Sequence, residues 1–221
     1  GNTVAQRPRR SPLLTHSAVG RSNVFEREIR DLAIVPRWTI VRTIKQQYVA
    51  EHSYFVTMYV NDICAYFNVS KEIHLSALQY SLWHDMDEMI SGDFPGPAKR
   101  GTVRDRKHMD DVLHDKMDDI YGVRAHRTGS LPPEDAAVAK LIVKAADMIE
   151  AHFYCCGEFQ LGNGNMRIRV DKTKIEMVEA VDLMMQYMQT ESIDRSKFMI
   201  MLNNASGNHC MGISRGPEIW G

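Results

Sequence analysis

The chain has 221 residues, enough for one domain with a sizeable core, while two domains would be cramped. A net charge of -1 and a charged fraction of 25% exclude a general attraction to nucleic acid or anionic membranes, so any anionic ligand must be held by local positive charge. Because no long apolar run or secretory signal is present, we expect a cytoplasmic protein with no membrane and no nucleic-acid partner.

The first 24 residues predict an extended arm. Residues 1–23, "GNTVAQRPRRSPLLTHSAVGRSN", contain four arginines and two prolines without a helical period. A neighbouring subunit is a plausible support for such an arm, and a Met-rich last helix with Met184, Met185 and Met188 also suggests a contact between copies. We therefore expect a homo-oligomer, although a buried helix explains the methionines equally well.

Helical periodicity begins at Phe25 and recurs along the chain as far as Met188. The first helix should end before Pro36, which disfavours helix in the residue before it. Further helices are predicted at 54–67, 71–90 and 104–121, from the "LPPED" start to His152, and from about Lys174 to Met188. In the helix at 71–90 the expected buried stripe is Leu75, Leu78, Leu82, Met86 and Met89.

These segments predict an all-α bundle over residues 25–190, followed by a C-terminal tail at 191–221 that lacks a helical period. The sequence "MRIRV", Met166 to Val170, follows the turn-like "GNGN" and is compatible with a short β-hairpin insertion. The four cysteines, Cys64, Cys155, Cys156 and Cys210, lack C-x-x-C spacing, and we expect them to be reduced thiols.

Two histidine-aspartate pairs in the sequence are candidates for a functional site. His114 and Asp115 lie in a highly charged segment, which is typical of a solvated helix face. The pair His84 and Asp85 lies in an apolar segment, with Glu88 one helical turn further on. Burying such carboxylates is costly unless they are paired or bind a metal, so the His84–Asp85 pair favours either a metal site or a buried salt bridge.

Two further residues have the chemistry to complete a metal site. They are His52 in "AEHS" and Asp147 in "VKAADMIEA". Taken alone, His52 is more often a helix-capping or core histidine, and Asp147 a partner of a nearby cation. Together with His84 and Asp85 they form a mixed nitrogen and oxygen set that suits Mn²⁺, Fe²⁺, Co²⁺, Ni²⁺ or Zn²⁺ better than Ca²⁺.

The motifs "RW", "AEHS", "HDMDE", "SGDFPGPAK" and "VKAAD" resemble the HD-domain superfamily of metal-dependent phosphohydrolases. The resemblance covers about residues 25 to 160. Within the superfamily it is closest to the YfbR-type 5′-deoxynucleotidases and to phage dATP triphosphohydrolases. It implies an HD-domain helical fold and a deoxynucleotide substrate. The arm, "GNGNMRIRV" and the tail have no counterpart in this resemblance.

Carried over position by position, the resemblance implies one divalent metal ion per site. The implied ligands are His52, His84, Asp85 and Asp147, and the implied catalytic acid or base is Glu88. The implied substrate-binding residues are Arg37, Trp38, Asp93, Lys99 and Lys144.

For two residues, side-chain chemistry alone is compatible with a contact to the substrate. Trp38 offers a flat face for a base, although a core aromatic is an equal alternative. Ile40 could crowd a ribose 2′-hydroxyl, which a core isoleucine explains equally well.

The expected reaction is hydrolysis of the 5′-phosphoester of a deoxynucleotide. It would release a deoxynucleoside with phosphate, as in a 5′-deoxynucleotidase, or with triphosphate, as in a dNTP or dATP triphosphohydrolase. Both reactions break the bond between O5′ and the α-phosphorus, so the sequence leaves them open. The alternative is a regulator that binds a nucleotide at the HD site without hydrolysing it, against which the presence of Glu88 argues.

Overall fold

The computed structural model describes residues 29–93 and 131–211. Within these ranges the chain is helical and forms no strand, only an isolated bridge between Pro36 and Tyr48, so the predicted all-α fold class is confirmed. The α-helices described are α1 (Val49–Tyr66), α2 (Lys71–Trp83), α3 (Glu88–Ser91), α4 (Pro133–Gln160), α5 (Arg167–Tyr187) and α6 (Ser192–Met211). Short 3-10 helices at Ile29–Ala33 and Gly164–Met166 precede α1 and α5.

Local signals explain where several helices begin. Pro133 occupies the first turn of α4, where its missing N–H costs nothing. The Ser70 hydroxyl accepts a hydrogen bond from the backbone N–H of Ile73 and caps α2. Helix α1 begins at Val49, five residues before the predicted start, because the Val49 N–H donates to Val35 O across the Pro36–Tyr48 bridge.

Helix α4 is the centre of the fold and packs against α1, α2, α5 and α6. Its apolar face is rich in small residues, which allows several helices to approach it closely. The buried core around it comprises Val56, Val60 and Ile63 of α1, Ala77 of α2, Ile142, Val143 and Ile149 of α4, Met177, Val181, Met184 and Met185 of α5, and Phe198 and Leu202 of α6.

The predicted helix at 71–90 is interrupted. Helix α2 ends at Trp83, residues 84–87 form turns, and the short α3 follows. Two residues of the expected buried stripe, Leu75 and Leu82, are 59% and 53% exposed. The face of α2 that is buried against the bundle carries Ser76, Ala77 and Ser81, whose small side chains allow close packing of helices.

A second, smaller cluster supports the turn at 84–87. Met86, in this turn, is buried with Leu32 and Val49, and Trp83 and Met89 pack against them. The turn therefore faces the N-terminal end of α1, which holds His52.

Two predictions for the C-terminal third are wrong. Residues 164–170 form a 3-10 turn that leads into α5 and not a β-hairpin. Residues 192–211, predicted as tail, form helix α6, which buries Phe198 and Leu202 in the main core. In both segments tertiary packing outweighs the weak local pattern.

Cys64 and Cys155 are free, as predicted. Cys156 is disulfide-bonded, so the prediction of a reduced thiol is wrong at this position. Among the described helices, none has the combination of length and apolarity needed to cross a membrane. The predicted arm, the helix at 104–121 with its His114–Asp115 pair, and Lys99 lie outside the described residues.

Candidate metal and nucleotide site

Four side chains from three parts of the fold meet at one end of the bundle. His52 comes from α1, His84 and Asp85 from the turn after α2, and Asp147 from α4. His52 Nε2 lies 3.3 Å from His84 Nε2, 3.4 Å from Asp85 Oδ2 and 3.4 Å from Asp147 Oδ1. The structure therefore brings together the four residues that the sequence suggested as ligands.

The donor set fits a divalent transition metal. The described residues contain one group of potential ligand atoms within 4.8 Å of one another, formed by His52, His84 and Asp147, and Asp85 Oδ2 lies 3.3 Å from His84 Nε2. Ligands about 2.0 to 2.1 Å from a shared tetrahedral ion lie roughly 3.3 Å apart. Two imidazole nitrogens with carboxylate oxygens are also the ligands that such ions prefer.

The charges around this cluster shift the titration of its members. Burial and the Arg37 cation lower the pKa of His52, but the carboxylates of Glu150, Asp147 and Asp85 outweigh them and raise it to about 10. Burial raises the pKa values of Asp85 and Asp147, but the neighbouring histidines and cations outweigh it. Both pKa values are therefore held below the ordinary range. Without an ion, a proton on His52 offsets part of the negative charge.

Both histidine rings are oriented by their other nitrogen. His52 Nδ1 lies 2.5 Å from Glu150 Oε2, and His84 Nδ1 lies 2.7 Å from the carbonyl oxygen of Ser81. Since these oxygens only accept hydrogen bonds, each Nδ1 carries a proton and each Nε2 of a neutral ring is left with its lone pair toward the cluster. Hydrogen bonding of this kind is usual behind metal-binding histidines.

Two cations border the cluster. Arg37 Nη1 donates to Asp85 Oδ2 over 2.9 Å, and Lys144 Nζ donates to Asp147 Oδ2 over 3.0 Å. Arg37 is largely buried, and burial lowers its pKa. The carboxylates of Asp85, Asp147, Glu150 and Glu88 raise the pKa by more than burial lowers it, so Arg37 stays charged. Its Nε has no hydrogen-bond partner among the described residues, which leaves a buried donor for a ligand.

Trp38 has an unusual backbone, with φ of 62°. This left-handed conformation is unfavourable for a bulky residue by roughly 1 to 2 kcal/mol and persists only where the surroundings enforce it. The Trp38 N–H donates to Asp93 Oδ2 over 2.7 Å, and its ring stacks on Tyr154 with centroids 5.3 Å apart and an interplanar angle of 14°. Asp93, predicted to bind substrate, thus holds the Trp38 backbone in this structure.

The loop after Trp38 is tied to the end of α4. Glu158, 2% exposed, accepts hydrogen bonds from the backbone N–H groups of Ile44 and Lys45, and the Tyr154 hydroxyl donates to Lys45 O. Ile40, also predicted to contact substrate, lies in this loop and is 57% exposed. The loop that holds the suggested nucleotide-binding residues is therefore fixed relative to Asp147.

A polar stripe on α4 was not predicted from the sequence. Glu150, Tyr154 and Glu158 follow Asp147 at steps of three, four and four residues, and so share one face of the helix. Each of the three contacts His52 or the loop after Trp38. Glu150 and Glu158, two carboxylates at helical spacing in the largely apolar second half of α4, were a usable signal, because burying them unpaired would be costly.

Glu88, the expected acid or base, begins α3 and is 3% exposed. Its backbone N–H donates to Asp85 O, which places it one turn after that residue. Its charge is one of four carboxylate charges that raise the pKa of Arg37. A carboxyl group in this position borders the cluster without belonging to the group of potential ligands.

The sequence profile of the YfbR-like 5′-deoxynucleotidases matches residues 24–194, more than half of the chain. The chain belongs to this family. Among similar proteins, the 5′-deoxynucleotidase YfbR of Salmonella typhi is 27% identical over 161 residues, which is 69% of this chain and 80% of the relative. A 5′-deoxynucleotidase of Pasteurella multocida is 26% identical and covers 66% of this chain and 78% of its own length.

Two solved structures of HD phosphohydrolases share the fold. DatZ of cyanophage S-2L, bound to dA and one catalytic Zn²⁺ ion, aligns with a TM-score of 0.59, 19% identity, and coverage of 81% of this chain and 95% of DatZ. An HD-domain phosphohydrolase of Listeria innocua aligns with a TM-score of 0.57, 18% identity, and coverage of 83% and 89%. The prediction of a YfbR-type HD-domain phosphohydrolase is therefore confirmed.

Proposed function

We propose that this YfbR-like protein hydrolyses the 5′-phosphoester of deoxynucleoside monophosphates and releases a deoxynucleoside and phosphate. The observation that carries the proposal is the cluster of His52, His84, Asp85 and Asp147, in a chain that belongs to the YfbR-like 5′-deoxynucleotidase family. The metal ion is one of Co²⁺, Mn²⁺, Zn²⁺, Ni²⁺ or Fe²⁺. When bound, such an ion polarises a phosphoryl oxygen and lowers the pKa of a water molecule.

The residues around the cluster have separate tasks in this proposal. Arg37 and Lys144 offset the charge of the phosphate, and the free Nε donor of Arg37 supports that role. Glu88 takes a proton from the attacking water or gives one to the leaving O5′. Trp38 supports the nucleoside with its ring, held in place by Asp93 and Tyr154.

The substrate class can be tested with the metal-loaded protein. Each dNMP and dNTP is incubated with it, and the products are separated by ion exchange. The monophosphatase releases phosphate from dNMPs, and we expect this result. Release of intact triphosphate from dNTPs would identify a triphosphohydrolase, and tight binding without turnover would identify a nucleotide-binding regulator. Ribonucleotides serve as the control for sugar preference.

A further inference from the structure

A run of three hydrogen bonds joins Trp38 to His52. The Trp38 indole Nε1 lies 3.0 Å from Gln47 Oε1, Gln47 Nε2 lies 2.5 Å from Glu150 Oε1, and Glu150 Oε2 lies 2.5 Å from His52 Nδ1. Gln47, Glu150 and His52 are 2%, 4% and 0% exposed, so water cannot readily replace a lost partner.

The chemistry of the groups fixes every donor and acceptor in this connection. An indole nitrogen only donates, so the oxygen of the Gln47 amide must face Trp38 and its nitrogen must face Glu150. An ionised carboxylate only accepts, so both Gln47 Nε2 and His52 Nδ1 donate to Glu150. The proton on Nδ1 leaves the lone pair of a neutral His52 ring on Nε2, which faces His84, Asp85 and Asp147.

We infer that Glu150 is the positioning residue of the metal centre and that Gln47 couples it to the nucleotide-binding Trp38. This inference rests on the proposed function. Glu150 fixes the tautomer and the ring orientation of His52, and Gln47 fixes one carboxylate oxygen so that the other points at Nδ1. A change at Gln47 therefore reaches both ends, the metal ligand and the tryptophan.

The connection also explains why a costly backbone conformation is maintained at Trp38. Its N–H is held by Asp93, its ring face by Tyr154 and its indole N–H by Gln47. Tyr154 and Glu150 lie one turn apart on α4. The same helix therefore sets the position of the stacking surface and of the metal-binding ring.

The test compares Glu150→Gln, Gln47→Leu and a matched control, Glu158→Gln, in the full chain. Glu158 is a buried carboxylate on the same face of α4, but it accepts from the backbone of Ile44 and Lys45. The first readout is the dissociation constant for Co²⁺ without nucleotide. Glu150→Gln should weaken Co²⁺ binding about 10- to 100-fold, the usual effect of losing such a partner.

Gln47→Leu keeps a similar side-chain volume but removes two hydrogen bonds. It should weaken Co²⁺ binding in the same direction by a smaller factor, and raise KM for the deoxynucleotide more than it lowers kcat. Glu158→Gln should weaken Co²⁺ binding much less than Glu150→Gln does, because the partners of Glu158 are the backbone N–H groups of Ile44 and Lys45 and not a metal-binding ring. If Glu150→Gln fails to fold, Gln47→Leu carries the test alone.

Unchanged Co²⁺ binding in Glu150→Gln, or in Gln47→Leu, would overturn the inference. An equal loss in Glu158→Gln would do so as well, because it would indicate a general effect of removing buried charge. These results are distinct from failure of the proposed function. In that case the unaltered protein would bind no metal, or would bind it and leave deoxynucleotides intact.

Discussion

Replacing Glu88 should reduce turnover without changing metal affinity. Glu88 is buried and lies one turn after Asp85. Glu88→Gln should lower kcat about 10²- to 10⁴-fold, since it removes the proton acceptor, and should leave Co²⁺ affinity unchanged. Product release and Co²⁺ titration measure the two effects. Glu72→Gln, an exposed change in the first turn of α2, is the control. Full activity of Glu88→Gln would remove Glu88 from the mechanism.

A proton on His52 should compete with the metal ion. Its pKa in the metal-free protein is raised to about 10 by the surrounding carboxylates, so His52 is protonated at neutral pH and must lose that proton when it binds metal. Affinity should therefore rise with pH, by about tenfold per unit below that value for a one-proton exchange. Competition with a chelator at pH 6 to 9 measures the slope. A flat profile would contradict the proposed role of His52.

At the level of residues, the candidate ligands could be predicted because their motifs carry distinctive chemistry. "HDMDE" places His84, Asp85 and Glu88 at fixed short spacings. No short motif marks Gln47, and only the presence of a carboxylate among apolar residues of α4 marks Glu150, because the two act through a contact made across 103 positions of the chain. Their role depends on how α1 packs against α4, which no short motif encodes.

At the level of elements, helix α6 allows a direct test of whether tertiary packing stabilises a segment whose sequence pattern does not predict a helix. Phe198 is 3% exposed, and its ring centroid lies 5.0 Å from that of Tyr66 and 4.9 Å from that of Phe67. Phe198→Ala should lower the free energy of unfolding by about 3 to 5 kcal/mol in urea denaturation. Ile200→Ala, at a position that is 60% exposed, should change it by less than about 0.5 kcal/mol. Equal effects would indicate that α6 does not dock as described.

Long helices with strong apolar periods were predictable, and their ends were less so. Helix α4 was recognised from its proline start and its period, although it runs on to Gln160. Helix α6 was missed because "NNASGN" is rich in residues that favour turns, and only its contact with α1 and α4 makes a helix there favourable. The break after Trp83 was missed because the apolar spacing continues through a segment that does not stay helical.

For the whole molecule, the candidate metal site links parts of the chain that are distant in sequence. His52, the pair His84–Asp85, and Asp147 come from α1, the turn after α2, and α4. A divalent ion at 100 times its dissociation constant should stabilise the folded protein by about 2.7 kcal/mol and raise Tm by roughly 5 to 10 °C. Thermal melts with Co²⁺ and with a chelator measure the difference. In His52→Ala the shift should disappear, and its persistence would place the ion elsewhere.

The architecture of the whole molecule followed from helical periodicity, whereas assembly did not. A bundle is the natural result of several amphipathic segments joined by short turns. The predicted homo-oligomer, the arm at 1–24 and the cytoplasmic location remain predictions, since they depend on surfaces and surroundings that hydrophobic spacing does not specify.

The polar stripe on α4 limits how this chain can change in length. An α-helix advances 1.5 Å and turns 100° for each residue. One inserted amino acid between Asp147 and Glu158 would therefore rotate Glu158 by about 100° around the helix axis. The loop after Trp38, which Glu158 binds, would then lose its position relative to the candidate metal ligands. Changes in length are better tolerated in connecting turns that hold no site residue, but between Asp147 and Glu158 only substitutions preserve the geometry.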